Sequence, residues 1–317
     1  MNTPTRLAAF AAGLAVVFAG AVGVGNAVGP VGTAAAGPHG GGHSSTPDPD
    51  AEPDAGHGGG HDAGADSPSA ADTATDVKGL SVSTDGYTLQ LESSTVPTGT
   101  VAPFAFTITG PDGRAVTDFT PTHDKELHLI VVRRDTTGFQ HVHPTRDPAG
   151  RWTVPLTLSS AGAYKVFADF APGDRTTALA LAADVAAAGA YEPQPLPPVS
   201  RTATVDDYTV TLDGDLVAGE ESKLTLSVGK GGEPVTDLQP YLAAFGHLVA
   251  LRAGDLAYLH VHPDGEPGDG RTASGPGITF YADVPTAGDY RLYLDFQHDD
   301  VVRTAEFTAT ASKQEGS

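Results

Sequence analysis

From residue 80 onward, apolar and polar residues alternate in short runs broken by Gly, Pro and Asp. GYTLQLES, VAPFAFTITG, ELHLIVVRRD, RWTVPLTLSS, AYKVFADF and ALALAADV form one series, ending near residue 185. DYTVTLDG, SKLTLSVG, GHLVALRAG, LAYLHVHP, ITFYADV, YRLYLDF and RTAEFTATA form a second. Alternation with a period of two, in runs of four to ten residues between turn formers, predicts β-strands. A short helical tendency at LALAADVAAAGA does not disturb that reading.

The two series are copies. PDGRAVTDFTPTHDKELHLIVVRRDTTGFQHVHP (111–144) aligns without a gap to KGGEPVTDLQPYLAAFGHLVALRAGDLAYLHVHP (230–263), an offset of 119, and AGAYKVFADF (161–170) aligns to AGDYRLYLDF (287–296). Each copy places Gly-x-Tyr just before a strand, at Gly162/Tyr164 and Gly288/Tyr290. That is the arrangement of the tyrosine corner, in which a phenol pins a turn to upstream backbone in Greek-key sandwiches. Seven or so strands in each unit of roughly 110 residues predict two tandem immunoglobulin-like or cupredoxin-like β-sandwiches. Module one is expected over 79–188 and module two over 200–312, with the Pro-rich GAYEPQPLPPV supplying an extended linker at 189–199 and a short tail at 313–317.

The segment before the strands reads differently. MNTPTR precedes a run that is uncharged from Leu7 to Gly29 and is followed by small residues, the layout of an export signal over 1–36 or, if uncut, of an N-terminal anchor. Residues 37–78 are a low-complexity His/Gly/Asp-rich stretch that cannot bury a core, hence a disordered tether. HGGGH occurs there twice, at His39/His43 and His57/His61, a composition suited to weak capture of divalent metal.

Composition narrows the chemistry. Lys plus Arg number 18 against 39 Asp plus Glu, a formal charge of −21, which argues against nucleic acid and anionic membrane as partners and suits cations. There is no Cys, and the one Met is Met1, so disulfides, thiolate sites and thioether Cu(I) sites are excluded. A metal site here must use imidazole, carboxylate or backbone oxygen.

The imidazoles are placed to do so. His128, His141 and His143 of the first copy correspond one for one with His247, His260 and His262 of the second, while Phe139-Gln140 between them has become Tyr258-Leu259. With ELHLIVVRR leading into DTTG and back through FQHVHP, a hairpin is expected in which Arg134 pairs with Phe139 and Val132 faces His141. Residues i and i+2 share a face, so His128, His141 and His143 would project together, and His247, His260 and His262 likewise. A register slip of one residue would send His128 to the opposite face. Three converging neutral imidazoles suit Cu(II) or Zn(II). His123 and His298, which have no counterparts, would each add a fourth ligand to its own module. The corresponding Asp169 and Asp295 would be ligands, orienting partners of an imidazole, or surface residues.

LHLIVVRRD, FQHVHP and AGAYKVFADF resemble motifs of a group of exported bacterial proteins, common in actinobacteria, and the likeness covers about residues 80–312. The resemblance implies a β-sandwich outside the cytoplasm and a role in handling copper or another heavy metal. Three functions compete on the residues alone. The first is an exported, non-enzymatic metal-binding protein that buffers, sequesters or delivers Cu(II) or Zn(II), in one version to a metal-handling membrane protein. The second is a catalytic three-His metal site with an open water position, and the third a metal-free cell-surface interaction module. No Ser-His-Asp pattern and no shared carboxylate beside the histidines favours catalysis: Glu126 aligns with Phe245 and Asp124 with Ala243.

Overall fold

The computed structural model describes residues 77–313, apart from 174 and 176. The export segment and residues 37–76 of the His-rich tether lie outside the described residues, while Lys78 at the tether's end pairs with Tyr258. The first module comprises β1 (Ser83–Thr84), β2 (Tyr87–Leu91), β3 (Thr95–Val96), β4 (Val101–Thr109), β5 (Phe119–Thr120), β6 (Leu127–Arg133), β7 (Gln140–Val142), β8 (Thr145–Arg146), β9 (Arg151–Thr157), β10 (Gly162–Pro172) and β11 (Leu179–Ala187). The second comprises β12 (Thr202–Val205), β13 (Tyr208–Asp213), β14 (Glu221–Lys230), β15 (Glu233–Pro234), β16 (Gly246–Arg252), β17 (Val261–Pro263), β18 (Gly277–Asp283), β19 (Gly288–His298) and β20 (Val301–Ala311). Among the described residues there is no helix. The protein is all-β, two tandem β-sandwiches, as the alternation predicts.

Each sandwich packs two sheets face to face. In module one these run β1-β2-β4-β9-β8 and β3-β11-β10-β6-β7, with β5 on β10. In module two they run β12-β13-β14-β18-β17, with β15 on β14, and β16-β19-β20. Inward positions at every second residue fill the cores. Phe104, Phe106, Trp152 and Phe170 do so in module one, and Tyr208, Phe280, Phe296 and Phe307 in module two. The tyrosine corners form in both: Tyr164 Oη donates to the Ser160 carbonyl at 2.8 Å and Tyr290 Oη to the Thr286 carbonyl at 2.7 Å.

A third apolar cluster joins the modules. β6 is buried at all seven positions. Leu127, Leu129 and Val131 face the core of their own sandwich, whereas Ile130 and Val132 face module two, against Val249, Leu251 and Tyr293. A strand apolar at consecutive positions is covered on both sides. The contact has approximate two-fold character. Phe139 stacks on Tyr293 with ring centroids 4.0 Å apart, and the equivalent pair, Tyr258 and Phe167, lies at 5.5 Å. The linker is held against module one: Arg133 grips Asp135 with two hydrogen bonds of 2.9 and 2.6 Å, and Asp135 also accepts from the Gln194 backbone N–H.

Candidate metal centre between the modules

The hairpin in module one differs from the expected register by two residues. Ile130 pairs with His141 and Leu129 with Val142, so Val132, not Arg134, falls opposite Phe139. The loop is wider because Arg133 folds back onto Asp135 and Thr137, and Thr136 and Gly138 take positive φ. An even shift preserves the face. His128, His141 and His143 therefore still project to one side, and it is the side that packs on module two.

Their ring nitrogens converge. His128 Nδ1 lies 3.0 Å from His141 Nε2 and 3.1 Å from His143 Nε2, and one ligand atom from each of the three falls within 4.8 Å of the others. The outer nitrogens fix the tautomers. His128 Nε2–H donates to the Thr122 carbonyl at 2.9 Å, and His141 Nδ1–H donates to Asp295 Oδ2 at 2.8 Å. In neutral rings so held, His128 Nδ1 and His141 Nε2 both carry lone pairs, 3.0 Å apart. Two lone pairs at that distance repel unless a cation lies between them, a further proton or a metal ion. A tetrahedral ion with N ligands at 2.0–2.1 Å holds them about 3.3 Å apart. Outer N–H groups committed to a carbonyl and a carboxylate are the usual supports of metal-bound imidazole.

Burial keeps two of these rings, His128 and His143, neutral. It depresses the His128 imidazole to about 2 and the His143 imidazole to about 3, helped in both by the neighbouring imidazole of His141. His247 is depressed to about 4, again by burial. His141 and Asp295 are 4% and 5% exposed, so the carboxylate that orients His141 acts away from water. Asp295 also accepts from Thr304 Oγ1.

Module two does not form a second three-His cluster of its own, contrary to expectation. Its hairpin begins in the equivalent register, with Leu251 opposite Tyr258. The chain then leaves for the other sheet, where Val261 pairs with Ala282 and His262 with Tyr281. His260 and His262 are exposed at that edge, 5.7 Å apart by ring centroids, and His262 stacks on Tyr281. His247 turns instead towards the histidines of module one, its centroid 6.0 Å from His141 and 6.3 Å from His128. His123 stands 5.0 Å from His247 and 6.0 Å from His128, at an exposed turn. His298 is not a fourth ligand to that set: its Nδ1 meets Tyr208 Oη at 2.7 Å and its Nε2 meets Asp237 at 3.1 Å, so both nitrogens are occupied by structural partners.

The strand's departure opens a cavity of about 410 Å³ beside the cluster, with His123, His128, His141, His247, His260 and His262 on its walls. Asp169, the counterpart of Asp295, also lines it, but accepts from Tyr258 Oη at 3.1 Å and is pushed upward by burial. Sequence reasoning missed that Asp295 and His247 reach the first module's histidines. The signal was present in HLIVVR, whose apolar residues on both faces imply a second covered surface, the one carrying His128.

Residues 81–187 and 203–313 each match the domain family described as "Domain of unknown function (DUF8832)". No curated protein matches the chain. Among solved structures, the chain is similar to FdeC, an adhesin of Escherichia coli, at 16% identity over 73% of this chain and 65% of that chain, with a TM-score of 0.23. It is similar also to the adhesin InvE of Yersinia pseudotuberculosis, at 14% identity over 74% of this chain and 60% of that one, with a TM-score of 0.22. The chain thus spans less than two thirds of the length of either.

Proposed function

We propose that this chain, which belongs to the DUF8832 family and carries its domain twice, is an exported, non-enzymatic protein that binds one divalent ion, Cu(II) or Zn(II), through His128, His141 and His143. One observation carries the reading. The two outer hydrogen bonds, to the Thr122 carbonyl and to Asp295, turn the inner nitrogens of His128 and His141 into lone pairs aimed at the same point. A proton can relieve that repulsion only by charging one of those two buried rings, whereas a metal ion takes up both lone pairs at once, with His143 Nε2 3.1 Å from His128 Nδ1 and placed to supply a third.

The protein would buffer, sequester or hand on the ion outside the cytoplasm. Export rests on the N-terminal layout of one Arg followed by an uncharged stretch from Leu7 to Gly29. Binding rather than catalysis is favoured because both carboxylates near the rings are engaged, Asp295 by His141 and Thr304, Asp169 by Tyr258. Neither is free as a general base. The tether's HGGGH pairs would deliver ions at lower affinity.

The test is metal analysis and titration of the full chain with Cu(II) and with Zn(II), against His141→Ala/His143→Ala. One tight equivalent in the wild type, absent from the double variant, is expected, with weak tether binding left in both. Tight binding that survives the double substitution would remove the ion from this site.

A further inference from the structure

Two features are unused by that reading, His247 and the interface itself, and Asp295, which it does use, reaches His141 across the module boundary. His247 is the counterpart of His128, and the correspondence extends to its hydrogen bond. His128 Nε2–H donates to the carbonyl of Thr122, and His247 Nε2–H donates to the carbonyl of Tyr241, the residue at the equivalent position, at 2.9 Å. A second carbonyl, of Leu242, lies 3.1 Å from the same nitrogen. Nδ1 of His247 is therefore the lone-pair nitrogen. It has no hydrogen-bond partner among the described residues, and the ring lines the cavity beside the cluster. His123 is no equivalent alternative, because it sits on an exposed turn at positive φ, with no hydrogen bond among the described residues to hold its ring.

Distances say what an ion would have to do. The three rings of module one have centroids 5.2, 4.9 and 4.8 Å apart. Rings around one tetrahedral ion are spaced at about 5 Å, given metal–nitrogen bonds of 2.0–2.1 Å. At 6.0 and 6.3 Å from His141 and His128, His247 is on the order of 1 Å outside that spacing. It is borne on β16, whose neighbours Val249 and Leu251 form the joint apolar cluster with Ile130 and Val132. Bringing it into coordination draws that face of module two towards module one.

We infer that the ion is shared between the modules, with His247 as its fourth ligand and Asp295 as a positioning residue for His141, so that loading with metal clamps the two sandwiches together. This rests on the metal reading above and adds that the first module alone is an incomplete site. A ligand set closed by the second module also explains why one chain would keep the module twice. One copy supplies three ligands, and the other supplies the fourth and the carboxylate that orients His141.

The experiment uses the full chain and Cu(II) alone as probe, with affinity by competition, bound imidazole nitrogens by electron paramagnetic resonance, and backbone protection by hydrogen exchange. His247→Ala should weaken Cu(II) about 10- to 100-fold and remove one nitrogen from the spectrum. Asp295→Asn can present an amide N–H to His141 Nδ1 and so favour the wrong tautomer. It should weaken binding by about 10-fold or more with the nitrogen count unchanged, and Asp295→Glu should restore part of the loss. In the wild type, Cu(II) should raise protection over Gly246–Arg252, a readout that needs no variant to fold. If the wild type binds tightly while His247→Ala matches it in affinity and spectrum, or if 246–252 is unmoved by metal, the ion belongs to module one and the clamp is wrong, with the metal reading intact. If the wild type binds no Cu(II) tightly, both fall.

Discussion

The same His-Val-His-Pro has opposite fates in the two modules. In the first it stays beside β6 through Val142 before the chain crosses to β9, where Thr145 pairs with Thr153. In the second the chain crosses three positions earlier, at Val261, and carries both histidines to the far sheet. The pairing register on each side is equivalent in the two copies, and only the crossing point differs. Gly246 stands where module one has Leu127, and a methyl added there would meet Ile278 of β18 at 2.9 Å. Without a leucine to hold the sheets apart, β18 comes close to β16, and the returning strand is in reach of it sooner. The lesson is that a copied motif preserves its residues more faithfully than its site. Sequence equivalence predicted two three-His clusters, and packing made one, in module one, with an open cavity beside it.

That contrast can be pressed hardest with acid. His128, His143 and His247 are held neutral by burial, with folded values of about 2, 3 and 4 against an ordinary 6.5. Below pH 6.5 the unfolded chain binds protons that the folded chain refuses, so stability rises with pH and is lost as pH falls from about 6.5 towards those values. Each imidazole contributes at most roughly 1.4 kcal/mol per pH unit within that window. Denaturation of the metal-free chain at pH 7 and pH 5 should show a steep loss, flattened by His128→Gln. A loss that stays as steep in His128→Gln would mean that burial of this ring does not set the acid sensitivity.

Next in size is the interface. Tyr293 is fully buried, stacks on Phe139 and donates its hydroxyl to the Thr136 carbonyl at 2.6 Å. Tyr293→Ala should cost about 3–5 kcal/mol, the usual range for emptying a buried aromatic site. Because the ring belongs to one module and its partners to the other, both should melt earlier. Calorimetry that shows only module two destabilised would contradict a shared core.

The smallest effect expected is close to none. His260→Ala/His262→Ala changes exposed residues at a sheet edge and should leave any tight metal affinity within about three-fold of wild type, where His141→Ala/His143→Ala should abolish it. Equal losses in the two double variants would restore the symmetric two-site picture.

Much of this was legible in advance. Period-two runs and turn formers give strands because successive side chains on an extended backbone point to opposite faces, and the tyrosine corners follow from a Gly-x-Tyr that both copies retain. That His128, His141 and His143 share a face survived an error of two in the hairpin register, since parity alone decides the face. His298 was misjudged because Tyr208 and Asp237, which occupy its nitrogens, are 90 and 61 residues away in the chain.

By itself, then, the sequence determined the local and periodic features: the strands, the duplication, the exclusion of sulfur ligands and the common face of three imidazoles in module one. Only the tertiary structure decided where the second His-Val-His would go, that His247 would turn to the other module, and that Asp295 would orient His141 from 154 residues away. Those outcomes depend on which apolar faces find each other and how closely two sheets approach. Such packing is set by the sum of many side-chain volumes rather than by any motif.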